Sequence, residues 1–442
     1  MVSRQHSETV DQQQETVLIV QPDVYSGQKT SMRSIEEQLD EIKSLSKAIS
    51  LDCVESIICK VDRIQAGAFL GKGKREEIAV LVEELEPSII VFNYTLSPVQ
   101  QRNLEKEWNC KLIDRTGLIL EIFGARAQTK EGRLQVELAA MEYQKSRLVR
   151  SWTHLERQRG GAGFMGGPGE TQIELDRRII GERITKLKKE IESVKKTREL
   201  GRKSRERVPF PVVALVGYTN AGKSTFFNRL TGAKVFAKDL LFATLDPTLR
   251  RIELPNSQNV ILSDTVGFIS DLPTHLIAAF RATLEETLHA DVIVHMIDVS
   301  RDDWKAQRQD VIDILESLDI EYDNDERIIE VFNKIDNLNE DDRAEAHRKA
   351  KFDDSICALS ALSGEGQDAF FDKITEILSN THKTCAFEIK PEDGKALAWL
   401  YEHGDVINTA HEDDATTIEV IIAPANLSRF INAFDYQPLE TK

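Results

Sequence analysis

Hydrophobic and polar positions divide the chain into unlike stretches. Between residues 16 and 126, short apolar runs alternate with longer stretches of helical period. TVLIV (16–20), ESIICKV (55–61), SIIVFN (88–93) and KLID (111–114) read as buried strands. Residues 34–50, 74–86 and 117–126 read as helices, and a fourth helix opens at Ser97. That serine caps it, with Pro98 in the first position and Gln100 three residues on. Such βαβα alternation predicts a mostly parallel sheet covered by helices. From 133 to 158 the period is that of one long helix without Gly or Pro, and a second runs from 171 to about 205. Between them lies RGGAGFMGGPGETQ, in which six of the ten residues 160–169 are Gly and one is Pro. Two long helices around a glycine loop predict a helical hairpin.

The α/β pattern returns over 210–380. Its strands are PVVALVG (211–217), NVILSD (259–264), DVIVHMIDV (291–299), RIIEVFNKID (327–336) and SICALSA (355–361). In the tail, AFEIK (386–390), a helix over 394–403, ATTIEVIIAP (415–424) and a helix over 427–434 predict a small α+β unit. The expected domains are a disordered leader (1–15), an α/β domain (16–132), the hairpin (133–208), a second α/β domain (209–382) and the α+β unit (383–442).

A chain of 442 residues is too long for one core, which agrees with this division. No apolar run approaches the roughly 18 residues that cross a bilayer, so no integral membrane segment is expected. The polar, Gln-rich start carries no signal-peptide core. Five cysteines lack CxxC or metal spacing and read as reduced thiols of a cytoplasmic protein. The net charge of −17 argues against a nucleic-acid partner for the chain as a whole. The charge is uneven, however. Residues 145–207 hold 18 Lys and Arg against 9 Asp and Glu, while 385–442 hold 4 against 11. One basic segment on an acidic protein predicts a local polyanion contact.

Chemistry enters at VVALVGYTNAGKST: an apolar strand, a glycine loop, then a helix start. Residues Gly217, Tyr218, Thr219, Asn220, Ala221, Gly222, Lys223, Ser224 and Thr225 carry the phosphate-loop pattern G-x-x-x-x-G-K-[ST]. Gly222 lets the backbone curl round phosphates, and the amides with the helix N-terminus present positive potential. Lys223 would reach the β- and γ-phosphates, and the Ser224 hydroxyl would take Mg²⁺. Forty residues on, DTVG (Asp264, Thr265, Val266, Gly267) ends a strand. Asp264 would hold the Mg²⁺ water shell and the Gly267 amide would sense the γ-phosphate. NKID follows another strand: Asn333, Lys334, Ile335, Asp336. A buried Asp336 would accept from the N1–H and amine of guanine, donors adenine lacks. Asn333 would brace this loop and the Lys334 stem would cover the ring. Ser360, Ala361 and Leu362 fit the last base-contact loop. Between the first two motifs lies LFATLDPT, covering Phe242, Ala243, Thr244, Leu245 and Asp246. Thr244 and Thr248 both suit a Mg²⁺-binding switch, and spacing does not separate them. Phe268 and Ile269 follow Gly267, where a polar residue often orients the attacking water.

These motifs resemble the HflX family, in the Obg–HflX group of translation-factor-like GTPases. The resemblance rests on DRTGLILEIFGARAQTKEGRLQVELA (114–139), GGPGETQIELDRR (166–178), LFATLDPTLRRI (241–252) and DTVGFI (264–269). It implies an α/β fold class. A P-loop GTPase domain would be preceded by an N-terminal α/β domain with a long hairpin and followed by a small α+β domain. It implies GTP and Mg²⁺ as ligands, with Lys223, Thr244 and Gly267 catalytic, and Ser224 and Thr244 on the metal. It makes apolar residues at 268 and 269 the expected types, which a partner would hold away from the γ-phosphate. The implied partner is the large ribosomal subunit, with splitting of stalled ribosomes as the outcome. The basic hairpin and glycine loop would contact ribosomal RNA through Arg147, Arg150, Arg157 and Arg159, with Phe164 or Met165 against bases. Asn220 resembles the asparagine of potassium-activated GTPases, so K⁺ is a candidate ligand. A cytoplasmic monomer is expected. Two other readings are a GTPase switch for a protein partner such as a membrane protease complex, and a second catalytic site in the N-terminal domain. FLGKGKREE (69–77) lacks the phosphate-loop spacing and favours a turn.

Overall fold

The computed structural model describes residues 15–25, 33–158, 172–205, 210–232, 241–242, 248–270, 287–381, 383–390, 393–411, 415–422 and 424–439. Residues 1–14 of the expected leader, the glycine-rich stretch 160–169, and Ala243, Thr244, Leu245 and Asp246 lie outside them. The chain divides into two compact units, Met1–Arg126 with Val136–Thr185, and Ala127–Gln135 with Lys186–Lys442.

In the first unit the order is β1 (Thr16–Val24), α1 (Ile35–Ala48), β2 (Asp52–Val61), α2 (Lys72–Leu85), β3 (Ile89–Phe92), α3 (Pro98–Trp108), β4 (Lys111–Asp114) and α4 (Arg115–Arg126). The strands form a parallel sheet of order β2-β1-β3-β4. Val17 to Val20 are fully buried, as a central strand requires. Ser97 caps α3 as its sequence indicates: its hydroxyl accepts from the Gln100 amide, and the Gln100 side chain accepts from the Ser97 amide. Ser34 and Glu37 make the same reciprocal pair at α1.

Two long helices follow, α5 (Lys130–Gln158) and α6 (Gln172–Arg205). Within the first unit, Arg183 of α6 donates to Glu137 of α5, with the Nε bond at 2.8 Å. Arg147 departs from the sequence reading. Rather than standing free for an RNA phosphate, its Nη2 pairs with Asp114 Oδ2 at 2.7 Å and its guanidinium lies 4.2 Å from the centre of the Tyr143 ring. Asp114 is fully buried and also accepts from the Tyr143 hydroxyl and the amides of Leu96 and Gly117. A buried carboxylate needs a charge partner. Arg147 supplies it and anchors α5 to the end of β4. Arg150, Arg157, Arg159, Phe164 and Met165 lie outside the described side chains.

The second unit contains β5 (Val212–Gly217), α7 (Lys223–Thr231), β6 (Thr248–Glu253), β7 (Asn259–Asp264), β8 (Val292–Asp298), β9 (Ile328–Asn333) and β10 (Ile356–Ala358), with helices at Trp304–Glu316, Glu340–Phe352 and Gln367–Thr381. The sheet order among the described residues is β10-β9-β8-β5-β7-β6. All neighbours are parallel except β6, which runs antiparallel to β7 as an edge. The sequence pattern did not mark β6. Phe226, Phe227 and Phe370 pack with Val213, Leu215, Val294 and Met296 into the core on one face. The same unit ends in β11 (Lys383–Ile389), β12 (Asp405–His411) and β13 (Thr416–Ile422), an antiparallel sheet of order β11-β13-β12. Its helices Gly394–His403 and Pro424–Phe434 bury Leu400 and Phe430 against Phe387, Ile418 and Val420. The α/β class with a small α+β appendix is the observed architecture.

Candidate active site

Strands β5, β7 and β9 are parallel, and β10 pairs parallel to β9, so their carboxyl ends share one edge of the sheet. The sequence motifs follow those ends: 217–225 after β5, 264–267 at the end of β7, 333–336 at the end of β9 and 360–362 just past β10.

The first loop is fixed by backbone geometry. Gly217 has φ +147° and Gly222 has φ +97°, and a Cβ at either would collide, with the Met296 carbonyl and the Asn333 amide respectively. Asn220 sits in left-handed backbone (φ +62°), which Asn tolerates, and is exposed. Ala221 is buried, and Thr225 lies in the first turn of α7. Lys223 is buried and folds back to donate to the carbonyls of Gly217 at 2.9 Å and Tyr218 at 2.8 Å. Burial pushes its ammonium down to about 8, against the opposing pull of the Asp264 carboxylate. Ser224 Oγ donates to Asp264 Oδ2 at 2.8 Å. Thr265 is locked to the Leu215 carbonyl at 2.6 Å, and Val266 is buried beside it.

Phe268 is not a side chain waiting beside a phosphate. It is 2% exposed and Ile269 is 1% exposed. The Phe268 amide donates to Gly217 O at 3.1 Å, and the Thr219 amide donates to Phe268 O at 2.7 Å, a short parallel bridge between the two loops. The Tyr218 hydroxyl extends it by accepting from the Ser270 amide at 2.7 Å. The apolar pair therefore clamps the 264–270 segment to the phosphate loop, and no partner is needed to hold Phe268 aside. Phe268→Gln would place an amide in this enclosed position. We expect a loss of about 2–4 kcal/mol in urea unfolding, because a buried amide without partners is costly. Unchanged stability would contradict the clamp.

The remaining loops are tied to the first. Asn333 Nδ2 donates to Ala221 O at 2.7 Å, while its Oδ1 accepts from the Ala361 amide at 2.9 Å. One side chain thus links three motifs. Lys334 has φ +63° and pairs with Asp298 at 2.8 Å. Ile335 is buried, but Asp336 is exposed, contrary to the sequence reading of a buried acceptor. Ser360 is buried and its hydroxyl accepts from the Ser363 amide at 3.1 Å, while Leu362 stands 75% exposed. Phe242 is buried with φ +57°. Thr248 opens β6 opposite Asp264, whereas Thr244 lies outside the described residues.

Arg229 escaped the sequence reading. From α7 it donates to Leu362 O at 3.0 Å and Ser363 O at 2.8 Å, and to the Gln367 side chain at 3.1 Å. It joins the helix behind the phosphate loop to the last loop. Its only sequence signal was a cation in the last turn of that helix. Among the described residues no three His, Cys, Asp or Glu gather as a metal cage. The oxygen donors Ser224 and Asp264 side by side instead suit Mg²⁺ completed by substrate oxygens and water.

Comparison with known proteins covers the chain in four consecutive parts. The family model described as GTP-binding GTPase N-terminal matches residues 36–124, and GTP-binding GTPase Middle Region matches 126–205. The model described as 50S ribosome-binding GTPase matches 212–334, and HflX C-terminal domain matches 345–430. The chain is 45% identical over 414 residues to the GTPase HflX of Magnetococcus marinus, covering 94% of each. It is 43% identical over 380 residues to the GTPase HflX of Escherichia coli K12, covering 86% of this chain and 88% of that one. The chain belongs to the HflX family of GTPases.

Proposed function

We propose that this protein is a cytoplasmic, monomeric GTPase that binds the large ribosomal subunit and splits or rescues stalled ribosomes. The observation that carries the nucleotide part is Asn333, which holds the phosphate loop and the 360–362 loop in one rigid frame. In this reading the amides of 217–225 and Lys223 hold the phosphates. Ser224, Thr244 and, through water, Asp264 hold Mg²⁺, which would neutralise phosphate charge. Asp336 and the amides of Ser360, Ala361 and Leu362 read guanine, and burial of Asp336 comes from the base itself. Asn220 would share a K⁺ with the phosphates. A subunit partner agrees with the match to the 50S ribosome-binding GTPase family model over 212–334 and with the basic segment 145–207. The hairpin and its glycine loop would meet ribosomal RNA, with Arg147 as a strut rather than a ligand.

The test is hydrolysis itself. GTP should turn over, ATP should not, and EDTA should abolish the reaction. ATP turnover equal to that of GTP would refute the base reading. A linked effect follows from Lys223. In the ligand-free protein it loses its proton as pH rises through about 8. Phosphate oxygens favour the ammonium, so binding above that pH must take up a proton. Affinity should then fall as pH rises, by up to about tenfold per unit above 8. Calorimetric titration at pH 9 in two buffers of different protonation enthalpy reads the uptake directly. Identical heats in both buffers would contradict it.

A further inference from the structure

The clamp on Phe268 leaves the position after Gly267 without a polar group, so the contact to the attacking water must come from elsewhere. Thr219 is the nearest neighbour of the sensor glycine. A Cβ built on Gly267 would stand 2.8 Å from Thr219 Cγ2, 2.9 Å from Thr219 Cα and 3.2 Å from Lys223 Nζ. Three groups, the sensor backbone, the phosphate-loop ammonium and the Thr219 side chain, therefore converge on one point. Thr219 is 6% exposed, and its Oγ1 is buried with no hydrogen-bond partner among the described residues. A buried hydroxyl without a partner is unfavourable, whereas Val would fill the same volume without that penalty. The main chain of Thr219 is already fixed by its bond to Phe268 O at 2.7 Å.

We propose that the Thr219 hydroxyl is a catalytic group of the GTPase site, contacting the attacking water and the γ-phosphoryl group in the place left empty at residue 268. This rests on the nucleotide site proposed above. The water oxygen forms the new bond to the γ-phosphorus, and the bond from that phosphorus to the β,γ-bridging oxygen breaks. The electron pair leaves on GDP, and the water proton passes to a γ-phosphoryl oxygen. Thr219 Oγ1 accepts a hydrogen bond from the water and donates its own proton, as a hydrogen bond, to a γ-phosphoryl oxygen. A short side chain on backbone held by the bond to Phe268 O is better preorganised than one on a free loop.

The test separates the two ligands that differ only by the γ-phosphoryl group. Thr219→Val keeps the shape and removes the hydroxyl. Its kcat for GTP should fall at least about tenfold, while affinity for GDP stays within about twofold. Thr219→Ser, which keeps the hydroxyl, should restore most of the lost rate. Should the valine variant fail to fold, as judged by circular dichroism and thermal unfolding, Thr219→Ala makes the same comparison. A wild-type kcat in the valine variant would overturn the proposal. So would a loss of GDP affinity as large as the loss of rate, because that pattern belongs to a packing residue. The underlying site is judged separately: Lys223→Ala should abolish GTP binding, and retention of binding there would remove the site and not merely the role of Thr219.

Discussion

Asp336→Asn should exchange guanine for xanthine as the preferred base, with GTP affinity falling by about 10² or more. In the proposed base site the carboxylate would accept from two guanine donors, and losing such a pair is among the strongest discriminations a site can make. An asparagine amide keeps one acceptor and turns the other into a donor, which matches the carbonyl that xanthine carries in place of the guanine amine. The fold should not feel the change. Asp336 is exposed in a short turn, Ile335–Asn337, and among the described residues no hydrogen bond is made to its carboxylate. The turn is held instead by buried Ile335 and by the Lys334–Asp298 pair. Competition titrations of GTP, XTP and ATP against a fluorescent nucleotide check this. An unchanged GTP affinity in the variant would remove Asp336 from the base site.

The second large effect is stimulation by the partner. With Phe268 and Ile269 buried in the clamp, Thr219 is left as the one proposed water contact, and until Thr244 closes on the metal the free protein should turn over slowly. In other GTPases a catalytic group supplied in trans gains about 10³–10⁵. Purified large subunits should raise multiple-turnover hydrolysis at least about tenfold, a barrier change of about 1.4 kcal/mol. The subunit would act by fixing Thr244 against a phosphate loop and a Gly267 segment that are already clamped together. Replacing residues 160–169 with a short Ser-rich turn should leave the unstimulated rate intact and remove ribosome splitting. Running the assay in potassium and in sodium reads the role of Asn220 at the same time. A free enzyme that is fast and indifferent to subunits would contradict partner activation, and equal rates in the two salts would exclude the K⁺ role.

The sequence was most legible where chemistry demands fixed residue types at fixed spacing. The phosphate loop, DTVG and NKID lie at strand ends as their patterns indicate, and the Ser97 cap with Pro98 and Gln100 is realised atom for atom. Edge strands were less legible. In β6, TLRRIE carries two adjacent arginines and, among the described residues, pairs on one side only, so no apolar run marks it. In β12, DVINTAH is interrupted by a bulge between Val406 and Asn408 and lies at the sheet edge. Partner choice was not legible either. Nothing local tells that Arg147 meets Asp114, 33 positions away, or that Arg229 reaches carbonyls 133 and 134 positions on. Exposure of Asp336 was not legible either, because four letters do not say which side of the Ile335–Asn337 turn faces outward. The apolar pair after Gly267 was visible, but its purpose emerged only with the bridge to Gly217 and Thr219.

A nucleotide-dependent grip on the large ribosomal subunit can be read by sedimentation. The full-length protein is mixed with purified large subunits in the presence of a non-hydrolysable GTP analogue or of GDP, and the pelleted fraction is compared. The protein should pellet with the subunits in the analogue and stay in the supernatant with GDP. Equal pelleting in both nucleotides, or none in either, would contradict it.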